Sequence, residues 1–263
     1  MGTDRYAYQS RMRRVSPMPK LLLTVVSLVL CLFCDSIAVG LATLVGMGVL
    51  TWLLGGLSPR VYLHFLKIPL AFLLIGSITV LIHSYPTGAA VLAAVPVGSS
   101  LWGFDTAALR QASTLFCKAM GAVACMYFLT LNTPVTDVTM ALEKLHVPKL
   151  LVELMELIYR FIFVLAETAS NIRIAQESRL GYQGMRRSLS SLGTLISMVF
   201  LRAWRKADRI YTALESRGYT NHLTTLSSGY RTGRWLYPAT AGVALGQILV
   251  LYWRGAWEDE RRH

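Results

Sequence analysis

Two short stretches of this chain carry the same polar groups in the same order. Ala175-Gln-Glu-Ser-Arg-Leu-Gly-Tyr182 returns as Ala213-Leu-Glu-Ser-Arg-Gly-Tyr219, with one leucine dropped between the arginine and the glycine. In each, a helical run carries Glu-Ser-Arg and then meets a glycine and an aromatic residue. Glycine leaves a helix through the left-handed conformation without a Cβ penalty, so both copies read as helix ends. An arginine there suits the negative end of the helix dipole. Short Arg-Gly helix ends are common, and basic residues near membrane spans are usually topological charge. The recurrence within one basic amphipathic region points instead to a matched pair of contacts on a partner with two equivalent sites.

No catalytic set accompanies these arginines. The chain has no Walker A loop, no G-x-S-x-G, no H-E-x-x-H and no carboxylate cluster within an apolar run. Cys31 and Cys34 form a C-x-x-C inside apolar sequence, and Cys117 and Cys125 lie in another apolar run. They read as small buried hydrophobes, with neither a disulfide nor a metal assigned. The histidines, His64, His83, His146, His222 and His263, form no i, i+4 pair. Arginines and glutamates on helices suit docking better than bond breaking.

Composition sets the medium. Of 263 residues, 54% are apolar and 15% charged, with a mean hydropathy of +0.48. A soluble domain carries about 25% charged residues, so this is a membrane protein. The formal charge of +12 is large for so apolar a chain. The basic, aromatic-interleaved patches of nucleic-acid binders are absent, and a basic inner face near anionic lipid and an acidic partner accounts for the excess.

The elements follow in order. Residues 1–20 form a basic arm with Arg5, Arg11, Arg13, Arg14 and Lys20, ending at Pro17 and Pro19. Lys20–Cys34 and Ile37–Leu54 are apolar. Asp35 between them marks either a tight outer turn or an interruption in one long stretch, and the length suffices for two spans if the first is short. Gly55–Arg60 breaks the chain, with Arg60, His64 and Lys67 making a basic turn. Ile68–Ile82 is the core of a third span, with Pro69 at its entrance or a kink. His83–Leu109 is a charge-poor outer loop, and Arg110–Leu131 a fourth span. Lys118 inside it needs a headgroup, a partner or a helix-lined cavity.

Beyond Asn132 the character changes. Thr136-Asp137 caps a short helix up to Leu145. On the run Leu150–Ala175, Glu153, Glu156 and Arg160 share one helical face. Leu192, Leu195, Ile196, Val199, Ala203, Ala207, Ile210 and Leu214 make an apolar stripe, and Arg202, Arg205, Lys206 and Arg209 occupy another side. That face is either solvated and lipid-facing or a docking surface. Asn132–Trp235 carries fourteen Lys or Arg against eight Asp or Glu, which places it inside together with the basic N-terminus. Residues 220–235 form a polar linker. Trp235–Trp253 is the last span, with Trp235, Tyr237, Tyr252 and Trp253 as interfacial belts. Five crossings put the C-terminus outside, where Arg254, Arg261 and Arg262 meet Glu258, Asp259 and Glu260. A crossing by Leu150–Glu167 reverses that.

The reading is an all-α polytopic membrane protein, with five or six transmembrane helices and cytoplasmic amphipathic coupling helices. Residues 1–131 make the N-terminal arm and four spans, 132–235 the coupling region, and 236–263 the last span and tail.

These residues resemble the transmembrane (T) components of energy-coupling factor (ECF) transporters, whose paired Ala-Arg-Gly-type signatures match Ser178-Arg179-Leu180 and Ser216-Arg217-Gly218. The likeness is closest to the cobalt-type CbiQ branch, through Asn132-Thr133-Pro134-Val135-Thr136-Asp137, Val147-Pro148, Tyr159-Arg160-Phe161-Ile162-Phe163 and Ala175–Tyr182. The first motif departs by its Ser and Leu, with Gly181 displaced by one, and the second by its Ser. The resemblance implies a non-catalytic multi-pass subunit of the prokaryotic cell membrane, its N-terminus cytoplasmic. It would link two CbiO-like ABC ATPases to a CbiM-like substrate-binding component helped by a small CbiN-like protein. Arg179 and Arg217 would dock in the ATPase grooves. ATP would be bound by the ATPase, with no cofactor or metal on this chain. The substrate would be Co²⁺ or Ni²⁺. A T component for a vitamin is the alternative within transport, and a membrane-bound lipid-modifying enzyme the alternative outside it.

Overall fold

A computed structural model describes residues 2–81, 83–85, 93–97, 100–219, 230 and 233–260, with side chains over 4–81, 105–219, 230 and 233–252. The linker from 220 to 229 with His222, and Pro86, Arg231, Arg261, Arg262 and His263, lie outside the described residues. So do the side chains of His83, Trp253, Arg254, Glu258, Asp259 and Glu260.

The regular elements among the described residues are helices and one small sheet. In order the chain forms α1 (Gly2–Gln9), a 3-10 turn (Arg11–Arg14), α2 (Pro17–Phe33), α3 (Ile37–Leu53) and α4 (Pro59–Leu81). Strands β1 (His83–Tyr85), β2 (Ala93–Val97) and β3 (Ser100–Phe104) come next, followed by α5 (Thr106–Asn132), α6 (Val135–Lys144), α7 (Lys149–Ser178), α8 (Met185–Glu215) and α9 (Leu236–Glu260). Contacts divide it into two units, Met1–Ala141 with Gly229–His263, and Leu142–Ser228.

In the first unit α4 and α5 are long and apolar enough to cross a bilayer, and α2, α3 and Leu236–Tyr252 are shorter apolar helices. At 1.5 Å per residue, the 17 residues of α2 reach about 26 Å, a little short of a hydrocarbon core of about 30 Å. α4 turns Ile68, Phe72 and Ile75 outward, each at least 67% exposed, as a lipid-facing side requires. Pro17 stands at the first turn of α2, where its missing N–H is harmless. Asp35 and Ser36 separate two helices, so the interrupted single stretch is excluded.

Three boundaries differ from expectation. The basic stretch Arg60–Lys67 is not a turn but the first turns of α4, which begins at Pro59 and carries Pro69 internally. In the stretch expected as an outer loop, residues 83–85, 93–97 and 100–104 pair as an antiparallel sheet of order β1-β3-β2, which gives backbone donors there partners. α5 begins at Thr106 because Asp105 caps it, its Oδ1 accepting from the Thr106 N–H at 2.6 Å.

α5 is the hub, packing on α1, α2, α3 and α4. Met12, Leu23, Met47, Ala124, Cys125, Phe128 and Leu236 form the buried cluster. In lipid such packing is driven by close dispersion contact rather than by escape from water, so small residues matter most where helices cross. A Cβ on Gly40 would stand 2.6 Å from the Cys117 carbonyl, and one on Gly121 2.9 Å from the Gly40 oxygen. These two glycines let α3 and α5 touch backbone to backbone.

Several polar groups inside this unit are paired, although Tyr62 Oη, Thr133 Oγ1, Asp137 Oδ2 and Gln247 Oε1 are buried without a hydrogen-bond partner among the described residues. Lys118 donates to Asp35 at 2.6 Å, so the partner it needs is the carboxylate at the α2–α3 break. Gln247 of α9 donates to Thr43 Oγ1 of α3 at 2.7 Å. Lys20, read as part of the basic arm, is fully buried. Its ammonium donates to the Met12 carbonyl at 2.7 Å and the Asn132 carbonyl at 3.3 Å, tying the arm to the C-terminal end of α5. Asn132 accepts from Ser10 Oγ at 2.9 Å and donates to the Phe128 carbonyl at 2.8 Å. Asp137 does not cap α6: it sits in the first turn, buried, and accepts from the Tyr230 hydroxyl at 3.0 Å.

The second unit is two long helices. α7 has 30 residues and α8 has 31, and neither is apolar enough to count as a span. They pack on each other, yet α8 buries no residue and α7 only Val152. Glu153 and Glu156 are half-buried on α7, and Arg160 is exposed. Apolar residues cluster on facing sides and line an open groove of about 460 Å³ that includes Leu154, Phe161, Leu165, Ile210, Leu214 and Tyr219.

Candidate functional site

The two repeated stretches end α7 and α8 with the same hydrogen-bond frame. At the end of α8, the Gly218 N–H donates to Glu215 O at 3.0 Å and the Tyr219 N–H to Leu214 O at 3.1 Å. Gly218 takes the left-handed φ of +74°. This nested pair is a Schellman turn, which satisfies the last carbonyls of the helix. At the end of α7, the Leu180 N–H donates to Glu177 O at 3.0 Å and the Gly181 N–H to Gln176 O at 2.9 Å. Here Leu180 takes the left-handed position, with φ +58°. The expectation that glycine turns both helices out therefore holds only for the second. In the first the frame keeps its register on the helix carbonyls, and Gly181 falls one place later.

Arg179 and Arg217 consequently occupy equivalent positions, one residue before the left-handed turn. Both are exposed, and neither has an ion-pair partner among the described residues. The serines beside them fold back: Ser178 Oγ donates to Ile174 O at 2.9 Å and Ser216 Oγ to Ala213 O at 3.0 Å. Serine in place of alanine thus adds no outward polar group, and the guanidinium is what each helix end presents. Leu180 is exposed, and Gly218 has open space around it.

The structure sets the two ends apart. Gln176 Nε2 at the end of α7 donates to Ser191 O near the start of α8 at 2.9 Å. The far end of α8, with Leu214 and Tyr219, shares its groove with residues 154–165 in the first part of α7. Along α8, Ser191 and Arg217 are separated by about 40 Å at 1.5 Å per residue. The arginines therefore stand at opposite ends of a helical hairpin.

Sequence reasoning missed the brace around the first turn. Ser191 Oγ donates to Gly181 O at 2.7 Å, Tyr182 Oη to Gln176 Oε1 at 2.8 Å, and Ser188 Oγ to Tyr182 O at 3.2 Å. Arg173 donates to Glu177 at 2.8 Å and lies over the Tyr182 ring, 5.8 Å from its centroid. The hydrogen bond and charge of Glu177 hold the Arg173 guanidinium above its ordinary pKa. The signal was available in part, since Gln176 and Tyr182 flank the motif at i and i+6.

The matched turns bear on the comparisons with known proteins. The family model described as "Cobalt transport protein", CbiQ, matches residues 9–226, from the N-terminal arm through both arginine turns. The chain belongs to the CbiQ family. A CbiQ cobalt transport protein of Salmonella typhimurium is 31% identical over 218 residues, 83% of this chain and 96% of that one. A protein of Methanocorpusculum labreanum named as a putative fused cobalt transport protein CbiMQ is 33% identical over 65% of this chain and 30% of its own length. The energy-coupling factor transporter transmembrane protein EcfT of Brevibacillus brevis is 27% identical, covering 93% of this chain and 94% of its own. This CbiQ-family chain is a membrane-embedded component of a transport system, built as a helical polytopic protein.

Proposed function

We propose that the chain is the energy-coupling transmembrane subunit of an ECF-type importer. It passes the ATP-driven motion of two ATPase subunits to a membrane-embedded substrate-binding component. The observation that carries this reading is the pair of helix ends with one backbone frame, each presenting one arginine with no ion-pair partner among the described residues, at opposite ends of one hairpin. A planar guanidinium grips a carboxylate through two parallel hydrogen bonds, so each end suits an acidic groove on one copy of a symmetric ATPase pair. Helices of 30 and 31 residues transmit displacement as levers, because their backbone bonds are internal. When the ATPases close on ATP, the two ends move together and the hairpin carries that motion to the substrate-binding component.

The chemistry of ATP hydrolysis belongs to the ATPase, and this subunit is non-catalytic, with no cofactor of its own. The substrate is Co²⁺, with Ni²⁺ second, in keeping with the family description. The fused CbiMQ relative supports a CbiM-like substrate-binding partner. The excess of basic residues in the first 20 positions and in Asn132–Trp235 supports a cytoplasmic N-terminus and cytoplasmic coupling helices.

The test is affinity capture of the whole complex from native membrane, wild type beside Arg179→Ala/Arg217→Ala. The ATPase is expected with wild type and lost from the double variant, while the substrate-binding subunit and membrane insertion persist. Unaltered ATPase capture and metal uptake in the double variant would sink the coupling role.

A further inference from the structure

We propose that the basic cleft between α7 and α8 binds the phosphate of an anionic phospholipid. One wall of this cleft, of about 600 Å³, is Arg202, Arg205, Lys206 and Arg209 of α8, with Asp208 the one acid. Val164 and Leu165 of α7 supply apolar lining. The four cations follow the i, i+3, i+4, i+7 spacing of one helical face, an arrangement that is self-repelling when unopposed. Among the described residues none of them has a carboxylate within ion-pair distance.

Their local contacts orient them without neutralising them. Arg209 Nε donates to Arg205 O at 3.2 Å, and the Lys206 ammonium lies 5.8 Å from the Phe161 ring centroid. The Thr168 hydroxyl donates to Val164 O at 2.8 Å, so the donors facing a ligand here are guanidinium and ammonium groups. Such donors recognise a phosphate, bidentately where arginine is concerned. A cleft of this volume holds a headgroup, whereas an acidic protein helix about 10 Å across would fill it within two turns.

A separate feature of α8 selects a lipid as the source of that phosphate. Phe200, Trp204 and Tyr211 form an aromatic ridge on another side of the helix, each at least 62% exposed, with the Phe200 and Trp204 rings 6.3 Å apart. Basic and aromatic ridges on one amphipathic helix are the arrangement of a helix lying in the membrane interface, where basic pockets collect anionic headgroups. The proposal does not depend on the arginine turns, and its test leaves Arg179 and Arg217 in place.

The full chain, delipidated in neutral detergent, is titrated with phosphatidylglycerol, phosphatidylcholine or inorganic phosphate, and bound lipid is read by native mass spectrometry. Arg202→Gln/Arg205→Gln/Arg209→Gln is compared with wild type and with a control altered outside the cleft, Arg186→Gln/Arg187→Gln. Phosphatidylglycerol is expected on wild type and control, with affinity falling roughly 100-fold in the triple variant if each charge contributes about one power of five. Phosphatidylcholine is not retained. Asp208→Asn removes the one acid without disturbing the fold and is expected to tighten phosphatidylglycerol binding. Equal lipid binding by the triple variant, or unchanged binding by Asp208→Asn, would overturn the proposal. Inorganic phosphate that displaces the lipid at equal concentration would overturn the lipid as ligand. A triple variant that keeps its lipid but loses the ATPase would reassign this face to a protein contact.

Discussion

The ends of α7 and α8 share one backbone frame and differ in everything that holds it. The end of α8 places glycine at the left-handed position and meets nothing there within 4 Å. Its tether is Tyr219, half-buried in the apolar groove. The end of α7 forces a leucine into the same conformation, at a cost of about 1–2 kcal/mol for a residue with a Cβ. What offsets that cost is the brace of Ser188 and Ser191 on the turn and of Tyr182 on Gln176. Equivalent arginines are therefore presented by a stiff mount and a compliant one. Under the proposed coupling role, the stiff mount would transmit motion and the compliant one would adapt to it.

The largest expected effect comes from breaking the brace. A Cβ on Gly181 would lie 2.8 Å from Ser191 Oγ and 2.9 Å from Gln176 O. Gly181→Ala then has to push α8 away or lose both hydrogen bonds, a change of about 2–3 kcal/mol in the stability of the turn. Hydrogen exchange at residues 179–182 should rise by roughly 30–160-fold, with ATPase capture weakened at this end. Unchanged exchange there would show that the brace does not hold the turn.

Gly218→Leu comes next and copies the strain of the first turn into the unbraced one. Without a compensating contact the second turn should lose about 1–2 kcal/mol, so its last carbonyls fray and Arg217 loses its fixed direction. Expected is a roughly tenfold weaker ATPase capture by a variant that already carries Arg179→Ala, read by titrating the purified ATPase. Full retention would mean that the docking groove itself shapes the helix end.

How legible the molecule is follows the range of each interaction. The apolar spans, the amphipathic stripe of α8 and the Gly218 turn are local patterns of hydropathy and of φ preference, and the chain spells them directly. The first turn misleads because Gly181 suggests the left-handed residue, whereas the hydrogen bonds to Gln176 and Glu177 fix that position at Leu180. Gly181 answers to a neighbour from another helix, which no local rule sees. Lys20 fails in the same way. It reads as arm charge, yet of its two acceptors only Met12 O is near in sequence, and the other, Asn132 O, lies at the end of α5, far along the chain. Lys118 and Asp35 are each conspicuous in apolar surroundings, but only the fold pairs them.

Leu180→Gly is the gentlest probe and separates strain from function. The substitution removes the left-handed penalty at a side chain that is 58% exposed, so little buried surface is lost. Glycine also adds freedom to the unfolded chain, worth about 0.4–1 kcal/mol against the folded state. The balance of relief and added freedom should leave the turn about 0.5–1 kcal/mol more stable. Exchange at Gly181 and Tyr182 should slow by a small factor, and both helix ends would then carry the same turn residue. If ATPase capture is unchanged, the stiffness of the first mount comes from its brace alone. If capture falls while the turn grows more stable, the Leu180 side chain itself meets the partner, and the two ends are specialised for different contacts rather than one contact held in two ways.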